Sequence, residues 1–466
     1  MSTPRKPGTP GAPGAYAGHD AEPVPHAPIQ RDQPPAAGDV EAFRFPSYHR
    51  TTLANGTTLL AARASRGPII DFSVLFPAGA EREAAGEAGM ATLLGGLLDE
   101  GTAELSALEI AATVERLGGR LSSGADWDAG SLSLQVLSRH HRRALELLLD
   151  VATGATLPPE ELERQRSRRL AELLRKSTDP SHLATKAFSR AVYGDTAYGH
   201  SLLGDKDTVE ALDRERLLDF YRQCYAPSGA ILVAVGDLDP ETLAAEAEEL
   251  LQGIEPGSAP PRPDIQPPAL SGRRVEIIDR PSAAQTELRL GHAGVPRSHP
   301  DFTALTVLNA ILGGKFTSRI NLNLRERNGY TYGAQTAFVG RRGPGPFLVS
   351  TAVGTPVAAA AAREVLHELE RIVAEPVEPD ELRDAQSYII GTFPYTLQTV
   401  SGVVSRLENL ALFDLPDDYY DTLPGRVRAV TREELLRVAR EHLHPQDLAI
   451  VAVGPKEELE PAMEGL

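Results

Sequence analysis

Apolar positions along this chain recur in two rhythms, one suited to strands and one to helices. Short apolar or alternating runs predict strands over 58–62, 69–76 and 131–137, and an apolar run closed by Val-Gly predicts another ending at Gly236. Helical periodicity begins near Glu87 and returns over 107–117, 142–153 and 159–176. Strands gathered beside helices, without strict β-α-β alternation, predict an α+β sandwich of mainly antiparallel sheet with helices on one sheet face.

The same pattern occurs twice. Tyr225-Ala226-Pro227 leads into the apolar run that ends at Val235-Gly236, and His444-Pro445 leads into one that ends at Val453-Gly454, a spacing of 454 − 236 = 218. Pro158-Pro159-Glu160-Glu161-Leu162 and Glu378-Pro379-Asp380-Glu381-Leu382 both open a helix with acidic residues, and Leu162 to Leu382 is 220. Two landmarks at nearly one period indicate a duplicated domain. A Pro-rich stretch divides the copies, which gives domains over 42–255 and 273–466 joined by a linker over 256–272. Residues 1–41, rich in Pro, Ala and Gly, read as a disordered tail.

Charge and composition narrow the function. A formal net charge of −17 argues against nucleic acid as a partner, because phosphate binding needs clustered basic residues. The single cysteine, Cys224, excludes an intrachain disulfide and reads as a small residue at a helix end, without activating neighbours. No apolar run reaches the length of a membrane helix, and the N-terminus lacks a signal-type apolar core, so a cytoplasmic location is the expectation. His140-His141 and His442-x-His444 read as solvated or capping residues, His200 as structural. Gly313-Gly314-Lys315-Phe316 lacks the remaining positions of a phosphate loop.

One stretch carries more. Ser318-Arg319-Ile320, Leu324-Arg325-Glu326, Gly329 and Tyr332 resemble the C-terminal signature of the M16 (pitrilysin, insulinase and processing-peptidase) family, S-R-L-x(3)-L-R-E-x-x-G-x-x-Y. In that family, the resemblance implies, an arginine and a tyrosine seven apart reach towards the zinc-bearing domain; Arg325 and Tyr332 match, at 332 − 325 = 7. The tyrosine hydroxyl would donate to the scissile carbonyl oxygen as charge develops there, and the arginine would hold a substrate oxygen. Tyr198-Gly199-His200-Ser201 through Gly204 is similar to the segment that follows the family's metal site.

The family's zinc motif, H-x-x-E-H before Gly-Thr on the first helix, is missing. Counting back from Gly101-Thr102 places Thr92, Gly95 and Gly96 where the motif has His, Glu and His. The later ligand position falls at Glu172. One carboxylate cannot hold zinc against water, and without the motif's glutamate no base remains for the nucleophile. The resemblance thus implies no metal in this chain and no peptide hydrolysis by it alone. It implies a partner M16 subunit that carries H-x-x-E-H and zinc, with Arg325 and Tyr332 completing the partner's site for unfolded peptides, which dock as an added strand. A scaffold or peptide-binding protein without a catalytic role is the alternative.

Overall fold

A computed structural model of the chain describes residues 43–64, 67–258 and 261–466. The tail read from the sequence lies outside the described residues. The first half supplies strands β1 (Tyr48–Thr52), β2 (Thr58–Arg63), β3 (Ile69–Phe76), β4 (Arg120–Ala125), β5 (Gly130–Leu137) and β6 (Ile231–Gly236). Its helices are α1 (Met90–Gly95), α2 (Ala107–Arg116), α3 (His141–Gly154), α4 (Pro159–Lys176), α5 (Pro180–Tyr193), α6 (Lys206–Ala211), α7 (Arg214–Cys224) and α8 (Pro240–Leu250). The second half supplies β7 (Arg274–Asp279), β8 (Gln285–Ala293), β9 (Ala334–Phe338), β10 (Pro346–Gly354) and β11 (Ala449–Gly454). Its helices are α9 (Phe302–Leu312), the single turn α10 (Arg319–Asn321), α11 (Ala358–Ala374), α12 (Pro379–Thr392), α13 (Val400–Leu412), α14 (Tyr419–Ala429), α15 (Arg432–His442) and α16 (Lys456–Met463).

The sheets run β1-β2-β6-β3-β5-β4 and β7-β11-β8-β10-β9. Apart from β1 they share one topology. In each, the late Val-Gly strand (β6 or β11) inserts beside the first strand as a parallel pair, while the other pairs are antiparallel. The α+β class and the tandem arrangement expected from the sequence are therefore both present. β6 and β11 are buried at every position, because each lies in the middle of its sheet with both faces covered.

Coverage of both faces departs from the sequence-based expectation of helices on one side. Val403, Val404 and Leu407 of α13 pack against Leu60, Val233 and Val235 of the first sheet. Reciprocally, Ala184, Phe188 and Val192 of α5 pack against Ala449, Val451 and Val453 of the second. α5 and α13 start 400 − 180 = 220 residues apart. Each half thus lends one equivalent helix to the other, and neither sheet is fully covered by its own residues.

At the seam, the Asp128 carboxylate accepts from the Tyr198 hydroxyl (3.1 Å) and from the backbone N–H of Arg342 (3.0 Å). The Arg341 guanidinium lies over the Trp127 and Tyr198 rings at 4.3 and 4.5 Å. β4 and β9 each form one edge of their sheet, opposite β1 and β7, and Gly95 and Tyr332 sit beside them.

Candidate functional site

Helix α1 is only six residues long and starts at Gly89, whose φ of 92° lies in the left-handed region. No side chain caps it from that position; the buried Glu83 carboxylate does so instead. It accepts from the N–H groups of Gly89 (3.2 Å) and Ala91 (2.8 Å), while burial pushes its pKa up to about 8. His200 lies 3.4 Å from the same carboxylate, and burial lowers its pKa. This supports a structural His200 at the α1 start.

Thr92 projects from α1 into a polar knot. Its hydroxyl donates to the Leu202 carbonyl at 2.5 Å and accepts from Arg169 Nη1 at 2.8 Å. Arg169 also donates to the Leu203 carbonyl (3.3 Å), and its Nε lies 3.8 Å from Glu172. Arg169 and Glu172 are three apart on α4 and so share a face. The sole carboxylate among the degenerate positions is thus half-exposed and already faces a fixed cation.

Gly95 is set by packing. A Cβ built there would lie 2.5 Å from the Gly124 carbonyl carbon and 2.8 Å from Ala125 N, both backbone atoms of β4. The end of α1 therefore rests directly on the edge strand, and a glutamate at 95 requires that contact to open. Gly96 has looser surroundings, with only the Thr92 and Leu93 carbonyls at 3.7 Å. A hydroxyl, two glycines and one carboxylate beside a guanidinium do not suit zinc, which needs nitrogen, sulfur or paired carboxylate donors.

The second half repeats this construction. α9 also ends in Leu-Gly-Gly, and Gly313 stands 313 − 95 = 218 residues after Gly95. A Cβ at Gly313 would meet the Thr336 side chain of edge strand β9 at 2.4 Å. Leu94-Gly95-Gly96 and Leu312-Gly313-Gly314 are thus equivalent helix ends pressed on equivalent edges. This correspondence is visible in the sequence at the repeat period, and it explains Gly95 as a packing solution shared with Gly313.

Arg325 lies on a π-helical stretch, Leu322–Arg327, a distortion that often marks functional positions. Asn321 fixes the following loop: its Oδ1 accepts from Ala334 N–H (3.0 Å) and its Nδ2 donates to the Phe316 carbonyl (2.6 Å). The Arg325 guanidinium stacks over Phe316 at 4.5 Å and has Glu326 at 3.4 Å. Tyr332, in the loop before β9, is 90% exposed. Arg325, Tyr332, Lys315, Phe316 and Tyr388 line one open cavity of about 420 Å³. Arg325 and Tyr332 are brought together, and the cavity is lined by residues of the second half alone. Thr92, Gly95 and Glu172 belong to a different place on the chain.

Two further positions can be placed. Cys224 ends α7, fully buried, and burial pushes its thiol up to about 11. His442 is buried and bonds to Asp301 at 2.8 Å, so the solvated or capping role read from the sequence gives way to an internal hydrogen bond at the α9 start.

Models of one family match both halves. The insulinase (peptidase family M16) model matches residues 60–206, and the "peptidase M16 inactive domain" model matches residues 211–389. The chain belongs to the M16 family. An uncharacterized zinc protease of Streptomyces coelicolor is 26% identical over 417 residues, covering 88% of this chain and 90% of that protein. The non-peptidase homolog YmxG of Helicobacter pylori is 22% identical over 376 residues, covering 79% and 85%. Among solved structures, a peptidase M16 inactive domain from Pseudomonas fluorescens superposes with a TM-score of 0.82 at 27% identity, covering 88% of this chain and 98% of that one. Arg325 and Tyr332, the residues that resemble the family's signature arginine and tyrosine, thus share one cavity, and a Gly-Gly helix end lies at the position counted for the zinc motif.

Proposed function

We propose that the chain is the metal-free, substrate-binding subunit of a heteromeric M16 zinc metallopeptidase acting on unfolded peptides. The observation that carries this reading is Tyr332. A large aromatic side chain, 90% exposed, shares an open cavity with Arg325, and its hydroxyl bonds to nothing else in the described chain. Exposure of that kind offers no stability, whereas it leaves the hydroxyl free to donate to an oxyanion presented from outside. Arg325, kept flat by Phe316, presents a planar fork to a peptide oxygen.

The partner, with H-x-x-E-H, supplies zinc and the attacking water. This chain contributes positioning and transition-state hydrogen bonding, together with strand edge β4. Residues 120–124 of β4 pair on one side with β5, and a Cβ at Gly124 would meet nothing within 4 Å. An extended peptide can add there through main-chain hydrogen bonds, with broad sequence tolerance. No helix among the described residues is long and apolar enough to cross a membrane.

Affinity purification of the chain from its own cells tests the proposal, scored for an H-x-x-E-H protein, bound zinc and peptide cleavage. A zinc-bearing partner is expected, with activity falling by about 10²–10³ on Tyr332→Phe, the effect of losing one oxyanion donor. A metal-free particle of this chain alone, inert towards peptides, would sink the idea and leave a scaffold.

A further inference from the structure

Away from the peptide-binding elements, helices α9 and α14 begin at a common cavity of about 490 Å³. Two arginines line it, and both lie over the ring of Tyr419: the Arg426 guanidinium at 3.9 Å from the centroid and the Arg297 guanidinium at 4.9 Å. Arg297 also lies 4.5 Å over Phe302.

Their hydrogen bonds go to neutral oxygens. Arg297 Nη2 donates to the Tyr419 hydroxyl (3.0 Å), and Arg426 donates to Thr303 Oγ1 (3.1 Å) and to the Tyr419 carbonyl (2.6 Å). Arg426 Nε is buried with no acceptor. Asp418, on the rim, is exposed and bonds to neither arginine; Asp301, at the α9 start, is taken by Arg437 and His442. Two guanidiniums on one ring repel unless something negative joins them. The field is legible at Tyr419 itself. Burial raises the pKa of its hydroxyl, and Arg297 followed by Arg426 more than offset that, leaving it below the ordinary phenol value. Each helix start adds the positive end of its dipole, its first N–H (Phe302 or Tyr419) being taken by the His299 or Pro416 carbonyl.

We propose that this cavity binds a multiply charged oxyanion, a phosphate monoester or a small polycarboxylate, with Arg297 and Arg426 as the forked ligands and Phe302 and Tyr419 as flat walls. An anion there would also clamp α9 to α14, the helix whose Asp421 accepts from the Phe45 N–H of the first half at 3.0 Å. The site is independent of the peptidase reading, and either can fail alone.

The full chain is titrated with inorganic phosphate, phenyl phosphate and citrate by calorimetry, and its melting is followed against sodium chloride at matched ionic strength. The expected result is saturable one-to-one binding, with Tm rising with the logarithm of anion concentration. Affinity should fall at least tenfold in both Arg297→Gln and Arg426→Gln. Arg426→Lys keeps the charge without the fork; it is expected to fold and to bind several-fold more weakly, which separates lost binding from lost folding. Phenyl phosphate binding more tightly than citrate would identify phosphate esters as the source, and the reverse order polycarboxylates. Melting shifts no larger than those in chloride, or binding that survives both glutamine substitutions, would overturn the proposal.

Discussion

Arg169 reaches Thr92 from the helix that carries Glu172, so a side-chain hydrogen bond of 2.8 Å joins the two helices that bear the family's ligand positions. Burial lowers the pKa of this guanidinium, and Glu172 and Glu83 act the other way to favour its charge. Restoring the letters of the motif should therefore not restore the site. In the variant T92H/G95E/G96H, the new Cβ at 95 would stand 2.5 Å from the Gly124 carbonyl carbon, and a backbone atom cannot swing aside as a side chain can. Overpacking of this sort typically costs about 1–3 kcal/mol. The variant is expected to melt several degrees below the parent and to bind no zinc in equilibrium dialysis, whereas Gly96→His, which leaves Gly95 and the Thr92 hydrogen bonds in place, should melt close to the parent. Tight stoichiometric zinc in the triple variant would show that the α1–β4 contact opens easily and that Arg169 does not block the site.

At the scale of elements, the exchange of α5 and α13 links the stability of the halves. Leu407 on α13 is fully buried against the first sheet, although it belongs to the second half. Leu407→Ala should cost about 2–5 kcal/mol through lost transfer energy and the cavity left behind. Chemical denaturation should still show one transition by tryptophan fluorescence and circular dichroism; two separated transitions would refute the coupling. Strands β3, β5 and β6 and helices α2, α3 and α4 were legible in the sequence, because their hydrophobic periods are strong and local. Edge strand β4 was not: Leu121 is the one large apolar residue in Arg120–Ala125, as expected of a strand with one paired side and half-exposed faces. The α5–α13 exchange was hidden as well, since amphipathic spacing says that a face is buried and not whose sheet buries it. At the candidate site, Thr92, Gly95, Gly96, Arg325 and Tyr332 could be singled out in the sequence by counting and spacing alone. Arg169 was not, because its role depends on α4 crossing α1, a contact that no spacing along the chain specifies.

For the molecule as a whole, the seam between halves is where pH should act. Glu81 is 4% exposed, and its Oε1 has no hydrogen-bond partner. Burial, then the neighbouring Asp128, raises its pKa to about 8, with Arg82 and Arg262 opposing. Burial and Asp126 raise Asp128 itself to about 7, against the pull of its Tyr198 hydrogen bond and of Arg341. Both carboxyls hold protons in the folded chain that they release, once unfolded, near their ordinary values. Between about pH 4.5 and pH 8 the folded state therefore binds more protons than the unfolded one, and the linkage relation makes stability fall as pH rises across that window. A tenfold difference in proton affinity between the folded and unfolded states is worth about 1.4 kcal/mol, so even half of the Glu81 displacement amounts to a loss on the order of 2 kcal/mol by pH 8.5. Urea titrations at pH 5.5, 7 and 8.5 should show a falling midpoint. Glu81→Gln, which removes the charge and keeps the shape, should flatten the decline and leave the variant more stable than the parent at pH 8.5. A midpoint that stays level with pH, or a glutamine variant that tracks the parent, would mean that the seam compensates these charges through contacts other than the ones seen at Glu81 and Asp128.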